Sequence, residues 1–391
     1  MAIPFYLPSL FYAFCTGLLV PILPLYAADF NISYGLIGVV LAAEMIGLTV
    51  GDIPAGMLVQ RLGVKRVMVL GIGLLSLGVG ALFWVQTIVL VIICRLLSGL
   101  ALALFNVARH VYLAETVQLE TRGRFIAVYG GIRRAGMFTG PAVGGIIATQ
   151  YGLRAPFFVY MVICLMAFFI IIFFLEDTTP STVSKAHVPQ VSILTTLKNH
   201  YYIFMTGGIG FLFAMMIRYG SKVVIPLYGA DVLGISPQEI GFIVSLGSAF
   251  DMMLFYPAGW VMDNIGRKFA IVPSFFGQGI GLALIPFTMN VWGLLIASCI
   301  IGLSNGLSSG SMMTLSSDLA PADSRGSFLG VWSLIGDAGS AGSPLIIGVV
   351  AEVFSLNPSI WVIALAGFFA SGLFAYFVPE TLREKQKTYS L

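Results

Sequence analysis

The chain has 391 residues, of which 58% are hydrophobic and 9% charged, and its mean hydropathy is +0.98. A soluble domain carries about 25% charged residues, so this chain cannot clothe itself in a water-facing surface and lipid must be its main solvent. The formal net charge of +3 is informative only through its placement.

A spanning helix needs about 20 apolar residues. Twelve such runs lie near 4–26, 35–59, 67–86, 87–115, 125–149, 154–175, 202–229, 237–262, 269–288, 290–316, 327–352 and 358–379. The first begins almost at Met1 without a basic flank and is long enough to span, so it reads as a helix and not as a cleaved signal. Cys15, Cys94, Cys164 and Cys299 all sit inside apolar runs, which argues against a disulfide framework. One long polar stretch, Glu176 to His200, separates the sixth and seventh runs, and the end of the chain from Glu380 is polar again. The expected fold is an all-α membrane protein with two pseudo-symmetric six-helix bundles. The expected divisions are 1–176 and 201–380 for the bundles, a cytoplasmic linker at 177–200 and a cytoplasmic tail at 381–391.

Basic residues set the orientation. Arg61, Lys65, Arg66, Arg122, Arg124, Lys185, Lys198, Arg267, Lys268, Arg325, Arg383, Lys385 and Lys387 fall in alternate loops and the tail, whereas the opposite loops hold Arg154 alone. Both termini are therefore expected in the cytoplasm. The lack of disulfides and of long outer loops points to a plasma (inner) membrane.

The halves repeat. Pro24-Leu25-Tyr26 and Asp29 recur as Pro226-Leu227-Tyr228 and Asp231, an offset of 202. At an offset of 203, Pro54-Ala55-Gly56 matches Pro257-Ala258-Gly259, Gly63 matches Gly266, Gly99 matches Gly302, Arg122-Gly123 matches Arg325-Gly326, Pro141 matches Pro344 and Gly145 matches Gly348. Parallel halves related by an axis along the membrane normal suit alternating access around a site at their interface.

The loop after the second run reads Gly56-Met57-Leu58-Val59-Gln60-Arg61-Leu62-Gly63-Val64-Lys65-Arg66, and its repeat reads Gly259-Trp260-Val261-Met262-Asp263-Asn264-Ile265-Gly266-Arg267-Lys268. Both resemble the G-x-L-a-D-r-x-G-r-k loop of the major facilitator superfamily, a resemblance that covers essentially the whole chain. Glycines would let the helix end and turn, and the basic residues would hold the loop at an anionic face. The family's acid, which helps lock one conformation, is replaced by Gln60 in the first half and kept as Asp263 in the second. In the fifth run, Gly136, Gly140, Pro141, Gly144 and Gly145 resemble the G-x-x-x-G-P-x-x-G-G signature of the drug/proton antiporter branch, with Ala127 where the longer signature has glycine. Arg95-Leu96-Leu97-Ser98-Gly99 resembles that branch's R-x-x-x-G motif, whose arginine is implicated in proton coupling. The resemblance implies a secondary-active transporter and favours export.

Ionisable residues at membrane depth are expensive and are functional candidates by default. The bases within runs are Arg95, Arg109, Arg133, Arg134, Arg218 and Lys222, and the acids are Glu44, Asp52, Asp251 and Asp337. Depth along the helices matches Glu44 with Arg95, Asp52 with Arg109, and Arg134 with Asp251. A proton carrier needs a desolvated carboxyl, so Asp251 and Asp337 lead, followed by Glu44 and Asp52, with Arg95 as a coupling partner. Asn106, Arg109, Arg134, Phe211, Met215, Arg218 and Asn305 are the candidate cavity residues, since the resemblance implies a cavity lined by the first, fourth, seventh and tenth helices.

The leading expectation is proton-coupled efflux of small amphipathic or drug-like molecules by a monomer in the bilayer. Excess intramembrane arginine keeps a transporter of organic anions or phosphorylated metabolites as the alternative, and a lipid flippase or membrane-embedded enzyme stands for another class. No metal-ligand helix motif, nucleophile elbow or phosphate-binding loop appears, so no catalytic residue, metal or cofactor is expected, nor any nucleic-acid partner.

Overall fold

In a bilayer every backbone N–H and C=O must find its partner inside the chain, and in the described residues helices meet that demand without a strand. A computed structural model describes residues 3–116, 122–176, 193–321 and 324–382. Residues 177–192 of the expected linker and 383–391 of the expected tail lie outside the described residues. Lys185, Arg383, Lys385 and Lys387 lie there too, as do the side chains of Arg122 and Arg124.

The first half contains α1 (Ile3–Ala28), α2 (Tyr34–Leu62), α3 (Val64–Ala81), α4 (Ile88–Thr116), α5 (Arg122–Tyr151) and α6 (Ala155–Phe174). A short α7 (Ile193–Asn199) occupies the end of the expected linker. One rod, Tyr201–Asp231, follows, made of α8 (Tyr201–Ile203), a π-turn at Phe204–Gly208 and α9 (Ile209–Asp231). Then come α10 (Pro237–Asn264), α11 (Arg267–Leu284), α12 (Val291–Leu307), α13 (Ser311–Leu319), α14 (Arg325–Val353) and α15 (Leu356–Tyr376). Among the described residues, eleven rods are long and apolar enough to cross a membrane. α5 is not among them, because Arg133 and Arg134 in its middle lower its hydropathy. Its 30 residues reach about 45 Å, enough to span. The protein is a multi-pass integral membrane protein.

The run expected at 290–316 is interrupted. α12 stops before Ser308, Gly310 turns with φ of 78°, and α13 restarts at Ser311. A glycine at that angle costs little, where a side chain would be strained.

The chain divides into two compact units, Met1–Ala186 with Gly229–Ser245, and His187–Tyr228 with Leu246–Leu391. The segment Gly229–Ser245 packs with the rest of the first unit. The reason is local: a Cβ on Gly145 of α5 would meet the carbonyl oxygen of Pro237, and one on Gly241 would meet that of Pro141. Glycines thus let the α5 and α10 backbones touch. Gln238 N–H donates to Thr149 Oγ1 at 3.0 Å, Ala142 N–H to Ser245 Oγ at 2.9 Å, and Tyr34 O–H to Asp231 Oδ2 at 2.9 Å. The rest of the first unit packs α1 on α5 and α6, α2 on α4, and α3 on α4 and α6. In the second, α11 packs on α12 and α15, and α14 on α15.

The repeat read from the sequence recurs as contacts. A Cβ on Gly99 would meet the carbonyl oxygen of Glu44, and one on Gly302 would meet that of Gly247, an offset of 203 at both positions. Tyr26 O–H donates to Leu82 O at 2.9 Å and lies 3.5 Å from Val85 O, while Tyr228 O–H donates to Thr288 O at 3.0 Å.

Candidate functional site

The first unit treats its intramembrane charges in two different ways. Arg95 of α4 makes an ion pair with Glu44 of α2, their side chains 7% and 18% exposed. The close α2–α4 crossing at Gly47 and Gly99 brings the two together. Burying either charge alone would be far costlier than burying the pair. The second expected pair does not form: Arg109 is buried, whereas Asp52 is exposed on α2 beside Ile53, which is 76% exposed. Arg109 turns into the unit and Asp52 out of it, so an expected match in depth along the two helices does not make a pair.

Arg109 finds neutral company instead. Its Nη2 donates to Asn106 Oδ1 at 2.8 Å, and its Cζ lies 5.2 Å from the ring centroid of Phe105, 5.3 Å from Tyr129 and 5.7 Å from Tyr12. Such cation–π contacts stabilise a guanidinium without cancelling its charge. Arg134 is half-buried on α5, and His110 is exposed.

In the second unit Asn305 Nδ2 donates to Asp251 Oδ1 at 2.9 Å, joining α12 to α10. The positions 203 residues earlier are Leu48 and Leu102, so this polar contact belongs to one half only. Arg218 of α9 serves the break between α12 and α13. Its Nη2 donates to Ser308 O at 3.2 Å and Ser308 Oγ at 2.6 Å, adding to the bonds that Ser311 N–H and Oγ make to the same carbonyl, and its guanidinium lies over Phe275 at 5.3 Å. Phe211 stacks on Trp332 of α14 at 5.4 Å, which makes it part of the unit's packing. Met215 and Asp337 are half-buried.

The loop motif behaves differently in its two copies. Gly63 and Gly266 have φ of 84° and 149° and make the turns. Gly56 and Gly259 do not: both lie inside helices, and a Cβ there would meet nothing within 4 Å. In the second copy Arg267 Nη1 donates to Asp263 Oδ1 at 2.7 Å and to Met262 O at 2.5 Å, and its Nε lies 3.4 Å from Asp318 Oδ2. Lys268 Nζ donates to Ala375 O at 2.7 Å. In the first copy Gln60, Arg61 and Arg66 are exposed, Lys65 is half-buried, and none of them enters an ion pair among the described residues.

The α5 signature sorts its glycines by face. A Cβ on Gly136, Gly140 or Gly144 would strike the backbone of α1 at Ala13, Phe14 or Leu18, and Gly145 faces α10 instead. Spacing of four keeps the first three on one side.

Sequence reasoning passed over Tyr129 and Thr381, set Asp318 aside as an interfacial residue near a helix end, and read Glu380 only as the start of the polar tail. Thr381 Oγ1 donates to Asp318 Oδ2 at 3.0 Å, and Glu380 accepts from Arg267 N–H and Lys268 N–H at 2.8 and 3.0 Å. A signal was available, since Glu115 precedes Asp318 by 203 residues and Asp177-Thr178 precedes Glu380-Thr381 by the same offset.

A sequence model of the Major Facilitator Superfamily matches residues 6–232 and 207–390. Multidrug resistance protein 2 of Bacillus subtilis is 25% identical over 366 residues, covering 90% of this chain and 88% of its own length. Quinolone resistance protein NorA of Staphylococcus aureus is 22% identical over 376 residues, covering 96% and 95%. Among solved structures, a D-xylose–proton symporter has a TM-score of 0.75 at 16% identity, covering 97% and 98%. A peptide transporter, POT, in complex with sulfate has a TM-score of 0.79 at 15% identity, covering 98% and 95%. At such identities the solved structures speak for the fold alone.

Proposed function

This chain belongs to the major facilitator superfamily and is a membrane transporter, not an enzyme, and from that premise we propose that it exports small amphipathic molecules in exchange for protons. Two relatives that match nearly its full length are named for multidrug and quinolone resistance. Pseudo-symmetric halves suit alternating access. The asymmetry of Arg and Lys between loops supports a plasma-membrane protein with both termini in the cytoplasm, acting as a monomer.

The Asp251–Asn305 contact carries the proton coupling in this reading. A carrier must be stable both charged and neutral. When Asp251 is ionised, Asn305 Nδ2 donates to it. When Asp251 is protonated, its O–H can donate to Asn305 Oδ1, a buried atom with no hydrogen-bond partner among the described residues. A neutral amide therefore serves both states, whereas Glu44 already has Arg95 as its ion-pair partner.

The test is proton release from purified protein in weakly buffered detergent when tetraphenylphosphonium is added. Wild type is expected to acidify the medium. Asp251→Asn is expected to abolish that signal, with Asp337→Asn and Glu44→Gln retaining it. Absence of release from wild type, or equal release from wild type and Asp251→Asn, overturns the assignment.

A further inference from the structure

The loop between α2 and α3 and its repeat between α10 and α11 hold their bases in opposite ways. In the second copy three acids take up the charge: Arg267 pairs with Asp263 and Asp318, and Glu380 caps the backbone beside it. In the first copy Gln60 stands for Asp263, and Glu115, which stands for Asp318, is exposed and enters no ion pair among the described residues. Asp177, in the place of Glu380, lies outside them. The bases have moved as well. Buried Val64 replaces Arg267, while Arg61 and Arg66 stand where the second half has Asn264 and Phe269. Arg61 and Arg66 are exposed, and among the described residues neither side chain makes an ion pair or a hydrogen bond.

Two exposed guanidiniums without an acid of their own, at the end of a membrane helix, call for an outside anion. The surface that follows Arg66 says which. Arg66, Leu70, Leu74 and Leu77 recur at spacings of four, four and three, so they share one face of α3, and all four are exposed. The stretch rises about 16 Å, close to the depth of one leaflet in a hydrocarbon core of about 30 Å. An acyl chain lying on the three leucines brings a phosphate to Arg66 and, across the turn at Gly63, to Arg61. Exposed leucines alone would face any lipid, and the base at the head of the stripe adds the preference for negative charge. Phosphate oxygens also match the guanidinium fork. A soluble anion would use the arginines and leave the stripe idle. In the second half the equivalent positions are Phe269, Pro273, Gly277 and Ile280, with neither base nor leucine.

We propose that Arg61 and Arg66 hold the phosphate of an anionic phospholipid whose acyl chain lies along Leu70, Leu74 and Leu77, a lipid site that the first unit has and the second lacks. The site stands whatever the protein exports.

The probes are dioleoylphosphatidylglycerol and dioleoylphosphatidylcholine, which share their chains and differ in headgroup charge. The whole chain, purified in a neutral detergent, receives the two in equal amounts. Native mass spectrometry reads which lipid stays bound, and each variant's melting temperature is recorded. Wild type should retain phosphatidylglycerol about thirtyfold better, the scale of two bases at an anionic surface. Arg61→Asn/Arg66→Phe, which copies the second half, should erase that preference, and Arg61→Lys/Arg66→Lys should keep most of it. Arg66→Gln alone should lower it several-fold and decides the matter even if the first double variant does not fold. Equal retention of the two lipids by wild type overturns the site, as does a preference that survives the loss of both arginines. Glycerol 1-phosphate, offered in place of lipid, separates the two sources of phosphate. If it raises the melting temperature of wild type as far as phosphatidylglycerol does, the arginines take a soluble anion and the lipid assignment falls.

Discussion

Glu380 Oε1 accepts the backbone N–H of Arg267 at 2.8 Å, across 113 residues of sequence. Its other oxygen accepts Lys268 N–H at 3.0 Å. These are the first two amides of α11, donors with no partner inside their own helix. The preceding residue is Gly266, which has no side chain to cap them and whose own Cβ position would lie 2.6 Å from Glu380 Oε2. The segment just beyond α15 therefore caps the start of α11 in trans, and the negative charge suits that end of the helix dipole.

Glu380→Ala is expected to cost about 1–2 kcal/mol, the scale of a lost helix cap, and to lower the melting temperature. Glu380→Gln, which keeps one acceptor, should fall between Ala and wild type. A melt of Glu380→Ala that superimposes on wild type would remove the cap from the account.

The ion pair Glu44–Arg95 has its repeat equivalents in Gly247 and Ser298, where a Cβ on Gly247 would lie 2.6 Å from Ser298 Oγ. Evolution has therefore filled the same crossing in two ways, one ionic and one by small residues. Glu44→Gly alone should destabilise by about 3–5 kcal/mol, because it strands a buried guanidinium. The double variant Glu44→Gly/Arg95→Ser, which copies the second half, should recover most of that loss. Thermal melts of the four proteins in the cycle measure the coupling, and additivity of the two single changes would contradict it.

Helices, halves and loop motifs were legible in the sequence because period, length and charge placement are local properties. Glu44 and Arg95 could be paired by counting depth along their helices, and the glycine one turn from each at the α2–α4 crossing lets the two meet. Asp52 and Arg109 could not, since depth along a helix says nothing about rotation around it. The break at Ser308–Gly310 looked like apolar helix because Ser and Gly are common in membrane spans, and only the angle at Gly310 marks the interruption. Tyr129 escaped notice because a half-buried tyrosine is unremarkable until the guanidinium beneath it is seen.

The two acids around Arg267 should not weigh equally. Asp263 pairs with it at 2.7 Å but is 73% exposed, whereas the Asp318 side chain is 3% exposed and also accepts from Thr381. Solvent screens the first pair, so Asp263→Gln, which copies Gln60 of the first half, should change stability by less than about 0.5 kcal/mol. Asp318→Ala removes the inner acceptor of a guanidinium that is itself 11% exposed, and about 1.5–3 kcal/mol should be lost. Melting of both variants, with Thr381→Val as a third, checks the order. An equal effect at the two acids would show that burial does not set their contributions.

Glycines that look alike in the motifs should part company on mutation. Gly56 and Gly259 have open space where a Cβ would go and lie inside helices. Gly56→Ala and Gly259→Ala should leave the melting temperature unchanged or raise it, because alanine is the better helix former by about 1 kcal/mol. Gly140→Ala places a methyl group 2.5 Å from Phe14 O and 2.6 Å from Leu18 N, both backbone atoms that cannot rotate aside. The α1–α5 pair would have to separate, at about 1–3 kcal/mol. Side by side, the three melts decide whether the α5 signature is read through helix contact. Should Gly140→Ala melt with Gly56→Ala, close approach of α1 and α5 would not be what that glycine provides.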